Sequence, residues 1–340
     1  MTRTIIFSGV GVFLISLLLT PVVLALCHRF RLFDLPGARK VHRGERPRLG
    51  GLSILIATFV GISYVATSLE GVPLSHSQLG AFLLGGVLFF ALGMVDDVRG
   101  LPAGVKFPLQ IAFALGVAIW GVRIDTLFGT VALPLALSLA VTALWVVGIV
   151  NAINFIDGLD GLAAGISAIA LLAVLVISMA RTDYFFALIA LVIVAALLGF
   201  LPYNFFPARI FLGDGGALLL GYYLATLSVL GFFKQTAVIA FVLPILVLTV
   251  PIADTTLAVV RRLLRGQSPA RADMKHIHHR LLLVFSRRAR LQAARNGRTL
   301  DALSQQLVRG RAHRNAVLLL WALSLVFAAV AIYLGIRPPG

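Results

Sequence analysis

Carboxylates gathered in an otherwise apolar chain are the residues with the means to do chemistry. The stretch Asn151-Ala152-Ile153-Asn154-Phe155-Ile156-Asp157-Gly158-Leu159-Asp160-Gly161-Leu162 packs two carboxylates, two carboxamides and two glycines between the apolar runs 131–150 and 162–180. Ionisable groups in or beside a membrane segment are costly, and they mark a pathway, a metal or a substrate. Capping of the next helix would also use Asp157 and Asp160, through the positive end of its dipole, although one acid would suffice. If that helix begins there, the two acids share one of its faces. Asp96 and Asp97 are adjacent, and such a pair repels itself unless a cation lies nearby. A divalent ion suits the pair, and so does plain pairing to Arg99 or Lys106. Lys106 and Gln110 follow one turn apart, positioned to face the same cavity. Gly213-Asp214-Gly215-Gly216 holds a further acid at a helix start, as a capped turn or a metal ligand.

The basic and histidine-bearing segments suit anions. Lys40 lies in the run Asp34-Leu35-Pro36-Gly37-Ala38-Arg39-Lys40-Val41-His42, which continues to Gly50-Gly51. Asp254 precedes a second basic stretch that holds Asp273-Met274-Lys275-His276-Ile277-His278-His279-Arg280-Leu281. Zinc would need further ligands at characteristic spacing, and the chain has a single cysteine, Cys27. With Lys275 and Arg280 beside them, His276, His278 and His279 fit phosphate or a sugar better, while a solvated basic loop is the plainer reading. No segment matches the P-loop pattern.

The elements that must position these groups are membrane helices. The chain of 340 residues is 60% hydrophobic and 12% charged, against roughly 25% charged in soluble proteins. Ten apolar runs stand out: 5–27, 50–69, 79–95, 107–122, 131–150, 162–180, 184–201, 215–233, 237–260 and 315–336. Each approaches or exceeds the roughly 17–25 residues of a spanning helix. If the loop after the first run is cytoplasmic, 24 of the 29 Lys and Arg and ten of the 13 acids fall on that side. The positive-inside rule then sets both termini outside. The net charge of +16 reflects basic loops beside anionic lipid rather than nucleic acid, for which the chain carries no signature. The expectation is an all-α polytopic membrane protein of about ten transmembrane helices, one membrane-embedded domain over 1–340.

Taken in order, Asp34 to Gly51, Asp96-Asp97, Asn151 to Gly165, Phe211 to Gly216 and Asp254 to Leu281 resemble the polyprenyl-phosphate N-acetylhexosamine-1-phosphate transferases, glycosyltransferase family 4. The resemblance covers nearly the whole chain, and the combination NAxNFxDGxDGLAAG, FLGDGG and HIHHRL carries its specificity. It implies a ten-helix fold in the bacterial cytoplasmic membrane with outward termini and a cytoplasmic active site. The reaction it implies joins a polyprenyl phosphate to the β-phosphorus of a UDP-N-acetylhexosamine and releases UMP, with magnesium as cofactor and manganese as a substitute. Asp214 would then be a metal ligand with Asn154 close by. Either Asp96 or Asp97 would take the last proton from the lipid phosphate or hold the ion. Asp157 and Asp160, also in the catalytic site, would meet the nucleotide and its pyrophosphate with Asn151 and Asn154. His276, His278, His279 and Arg280 would meet sugar and diphosphate, and Lys40 phosphate. The histidine motif is similar to that of the branch transferring N-acetylglucosamine-1-phosphate, with the muramoyl-pentapeptide branch as the alternative. Homodimerisation is compatible with this picture.

One departure is that about thirty residues separate the histidines from the last run. This stretch, 282–314, is expected to be an inserted cytoplasmic segment. Its arginines among Ala, Leu and Gln suggest an amphipathic surface helix on anionic lipid. A rival of another class, an ion-coupled transporter, would place its acids near the bilayer midplane; here they fall at helix ends on one face.

Overall fold

The computed structural model describes residues 2–34, 46–69, 72–127, 131–231, 277–295 and 302–336, with scattered positions between 249 and 264. Nine of the ten apolar runs are helical: α1 (Thr2–Phe30, with a π turn at Phe7–Gly11), α2 (Gly51–Ser68), α3 (His76–Arg99), α4 (Ala103–Ile119), α5 (Leu135–Ile156), α6 (Leu162–Ala180), α7 (Tyr184–Asn204), α8 (Gly213–Gly231) and α10 (Ala302–Ile336). A basic helix, α9 (Ile277–Arg295), precedes the last. Among the described residues seven helices are long and apolar enough to cross a membrane, and α4 is a shorter apolar helix. The run 237–260 lies almost wholly outside the described residues. Two short antiparallel ladders supplement the helices: β1 (Phe33–Asp34) with β2 (Arg46–Pro47), and β3 (Thr126–Leu127) with β4 (Val131–Ala132).

α8 is the axis of the bundle. Every residue of it except Asp214 is buried, as expected of a helix apolar on all sides, and α2, α3, α5 and α6 all pack on it. Small residues permit the approach. A Cβ on Gly93 would fall on the backbone of Asp214 and Gly215, and one on Gly51 on that of Gly216. Aromatic rings fill the space further along, with Phe89 stacked on Tyr222 at 5.1 Å and Phe82 on Tyr223 at 5.4 Å.

Cross-bundle contacts sort the connections onto two ends. At one end Gly50 and Gly51 N–H donate to the carbonyls of Phe211 and Leu212, both at 3.0 Å, and Phe211 N–H to that of Pro47 at 2.8 Å. The turns 100–102 and 157–161 and the start of the last span join them there. At the other end Gln78 Nε2 reaches the Gly121 carbonyl at 2.9 Å, and Arg181 Nε that of Gly335 at 2.9 Å. Among the described residues, the motifs at Asp96-Asp97, Asn151 to Gly165 and Phe211 to Gly216 thus share one end of the bundle with Gly50-Gly51.

Candidate active site

Four helix ends build the site. α3 ends in Asp96 and Asp97 and stops at Gly100, whose left-handed φ of 64° closes the helix on the Asp96 carbonyl. Two residues into the next connection, Pro102 lets α4 begin, and its first turn carries Lys106. α5 continues through Asn151 and Asn154 to Ile156. Gly213, with φ of 76°, delivers Asp214 to the first turn of α8.

Their side chains converge on the Lys106 ammonium. Its Nζ pairs with Asp96 Oδ2, donates to Asp214 Oδ2 at 2.8 Å and lies 3.4 Å from Asn154 Oδ1. Lys106 and Asp96 are each 12% exposed, so charge interactions here escape much of the screening of bulk water. Asp96 Oδ1 accepts from Leu101 N–H at 2.7 Å, which fixes the carboxylate plane. Asp97 faces elsewhere. Its Oδ2 accepts from Gly215 N–H at 3.3 Å, and Arg48 both pairs with its Oδ1 at 3.5 Å and donates to its carbonyl at 3.1 Å. Asp97 therefore caps the N-terminus of α8 from a neighbouring helix, satisfying a donor that α8 leaves open. The adjacent acids have distinct partners: Asp96 enters the carboxylate–ammonium cluster and Asp97 orients the helix that carries Asp214.

One turn along, Gln110 Oε1 accepts from Asn151 Nδ2 at 2.6 Å, and Asn151 Nδ2 also reaches the Val147 carbonyl at 2.7 Å. Lys106 and Gln110 thus share one face of α4, as their spacing predicts, but that face packs on α5 and Gln110 is fully buried there rather than facing a cavity. Asn151 is only 7% exposed and braces α4 against α5. The expectation that Asp157 and Asp160 share a helix face fails. Gly158 and Gly161 hold 157–161 in a turn, Gly161 with φ of 76°, and α6 begins only at Leu162. Asp160 Oδ2 accepts from Ala208 N–H at 3.0 Å, tying this turn to the loop before α8. Asp157 lies where burial pushes its carboxyl well above the usual carboxylate range, with the charges of Asp214, Asp97 and Asp160 pushing the same way and Arg48 opposing.

Lys40 and His276 lie outside the described residues, as does Asp254. His278 and His279 fall in the first turn of α9, and their side chains lie outside the description; Arg280 is exposed. Lys106, expected as a partner of the adjacent acids, is the centre of the cluster, while Arg48 on Asp97 and His313 on Asp160 had been given no role above. Lys106 is the sole lysine or arginine in α4, a signal legible in the sequence. His313 is hidden among the arginines of the insert.

The donor set suits a small hard cation. Two carboxylates and a carboxamide oxygen already surround one positive centre, and magnesium takes few carboxylates with phosphate and water oxygens as its other ligands. Asp97 Oδ1 is engaged by Arg48 at 3.5 Å, and the buried Asn154 Nδ2, a donor with no hydrogen-bond partner among the described residues, suits an anionic oxygen rather than the cation itself.

A carboxylate–ammonium cluster with a guanidinium nearby thus lies at one end of a bundle whose helices are long and apolar enough to cross a membrane. The sequence profile of glycosyl transferase family 4 matches residues 79–232. The chain is 37% identical over 336 residues to a probable undecaprenyl-phosphate N-acetylglucosaminyl 1-phosphate transferase of Bacillus subtilis (strain 168), covering 95% of this chain and 84% of that protein. It is 34% identical to a decaprenyl-phosphate N-acetylglucosaminephosphotransferase of Mycolicibacterium smegmatis (97% and 82% covered). A third relative, the undecaprenyl-phosphate alpha-N-acetylglucosaminyl 1-phosphate transferase of Thermotoga maritima, is 32% identical (81% and 80% covered). The chain belongs to glycosyl transferase family 4.

Proposed function

We propose that the protein transfers N-acetylglucosamine-1-phosphate from UDP-N-acetylglucosamine to a polyprenyl phosphate, undecaprenyl phosphate by preference, on the cytoplasmic side of the bacterial inner membrane. An oxygen of the lipid phosphate bonds to the β-phosphorus, the bond from that phosphorus to the bridging oxygen breaks, and UMP leaves. The observation that carries this reading is the convergence of Asp96, Asp214 and Asn154 on Lys106, in a chain whose relatives over most of its length bear transferase names.

Two anions must meet, which costs several kcal/mol of repulsion unless cations intervene. Asp214 with Asn154 would hold magnesium, which when bound would supply that screening, and manganese would serve as well. Lys106, once released from a carboxylate, is placed to pair with a phosphate. Arg48 adds a second cation at the same end of the bundle and steadies Asp97. A phosphate monoester is already largely ionised at neutral pH, with a second pKa near ~6, so a strong base is unnecessary and Asp96 suffices to take the last proton. Asn151 and Asp157 border the nucleotide side, and the histidines with Arg280 border the sugar. Both termini would face outward, and 282–314 would be a cytoplasmic insert.

Purified protein given UDP-N-acetylglucosamine, undecaprenyl phosphate and magnesium should release UMP. Excess EDTA should stop release, and magnesium or manganese restore it. A competition assay against the muramoyl-pentapeptide nucleotide checks the branch: preference for that substrate would overturn the assignment. Absence of UMP with every UDP-sugar would remove the enzyme reading.

A further inference from the structure

We infer that His313, at the start of the membrane part of α10, is a positioning residue for transfer, acting through the hydrogen-bond acceptor at its Nε2. This inference rests on the transferase reading for its kinetic arm only.

His313 is 4% exposed. Its Nε2 accepts the backbone N–H of Asp160 at 3.0 Å, and a ring nitrogen that accepts is unprotonated. The same Asp160 accepts Ala208 N–H through Oδ2 at 3.0 Å, so one short chain of hydrogen bonds links α10, the turn 157–161 and the loop that leads into Asp214. Its surroundings leave little slack. The His313 ring lies 4.5 Å from that of Phe206, a Cβ on Gly310 would meet the same ring at 3.2 Å, and Trp321 packs on Phe205 at 5.4 Å and closes on Gly165. α10 runs alongside α6 in the same direction, from His313 beside Asp160 to Gly335 beside Arg181. It therefore packs against the turn that carries Asp157 and Asp160 and, through Phe206, against the loop that leads into Asp214, without reaching Lys106 or Asp214. Burial alone would be met by any apolar side chain; an acceptor aimed at the one backbone N–H of Asp160 specifies the position of that turn.

Two variants separate the acceptor from the packing. His313→Leu keeps apolar bulk and removes the acceptor, whereas His313→Gln offers an amide oxygen in place of Nε2. Wild-type turnover is read first, and its absence refutes the transferase reading while leaving the second arm intact. In the kinetic arm His313→Leu should lower kcat about tenfold to a hundredfold, the scale of small misplacements of reacting groups. KM for UDP-N-acetylglucosamine should stay within about twofold, and His313→Gln should recover most of kcat. In the second arm, amide hydrogen exchange at 157–161 and 205–210 should accelerate in His313→Leu and return toward wild type in His313→Gln. Leu and Gln variants that match each other in kcat and exchange, whether both intact or both impaired, would overturn the acceptor's role.

Discussion

Lys106 sets the charge balance of the site, because two carboxylates and a carboxamide share its one ammonium. Replacing it with Met leaves Asp96 and Asp214 facing each other, and breaking a buried ion pair costs about 3–5 kcal/mol. Thermal unfolding of Lys106→Met in metal-free detergent should fall accordingly, and added magnesium should raise its midpoint more than that of wild type. Asp214→Asn keeps the shape and removes the charge; it should abolish UMP release while the unfolding midpoint is retained. Asp157 gives a pH signature. Its raised pKa means that the folded state holds a proton the unfolded state has released, so stability is complete below the ordinary carboxylate value of about 4 and falls as pH rises toward the folded value. In Asp157→Asn, midpoints measured without metal should lose that decline.

At the scale of elements, close approach of helices decides where the acids sit. A Cβ at Gly93 meets the backbone of Asp214, so Gly93→Ala must separate α3 from α8, at about 1–3 kcal/mol for overpacking. Both the unfolding midpoint and kcat should drop, whereas Gly104→Ala, with open space around it, should change neither. α9 makes a different prediction. Its exposed face carries Leu283, Val284 and Leu291 among Arg280, Arg287, Arg288 and Arg295, with no acid anywhere in the helix. Such a face suits the headgroup layer of anionic lipid. A fluorophore on Leu291→Cys, with Cys27 buried, should be quenched by lipid-borne quenchers in anionic nanodiscs. Changing Arg287 and Arg288 to Gln should weaken that quenching. Labels equally accessible in neutral and anionic lipid would reject the surface role.

For the whole molecule, the helices were legible because an apolar run of sufficient length has little else to be. The site was legible as a set of motifs, and Asp96, Asn154 and Asp214 do meet. Which helix lies at the centre was not, since α8 looks like any other apolar run until its neighbours surround it. The division of labour between Asp96 and Asp97 depends on Gly215 and Arg48, more than a hundred and nearly fifty residues away, and no local spacing reports that. The turn at 157–161 departs from the helix its acids suggested because Gly161 takes a left-handed φ and delays the helix to Leu162. His313 sat among arginines that shared no pattern with it. One feature of the assembled bundle reaches further, the ammonium that stands between the carboxylates. A metal bound there as proposed would have to evict a cation already in residence, and the evicted lysine would need a new anion. Metal affinity and phosphate affinity are then thermodynamically linked, each raising the other by the same factor. Calorimetric titration should find magnesium bound weakly by the protein alone and more tightly in the presence of UMP, with the difference lost in Lys106→Met.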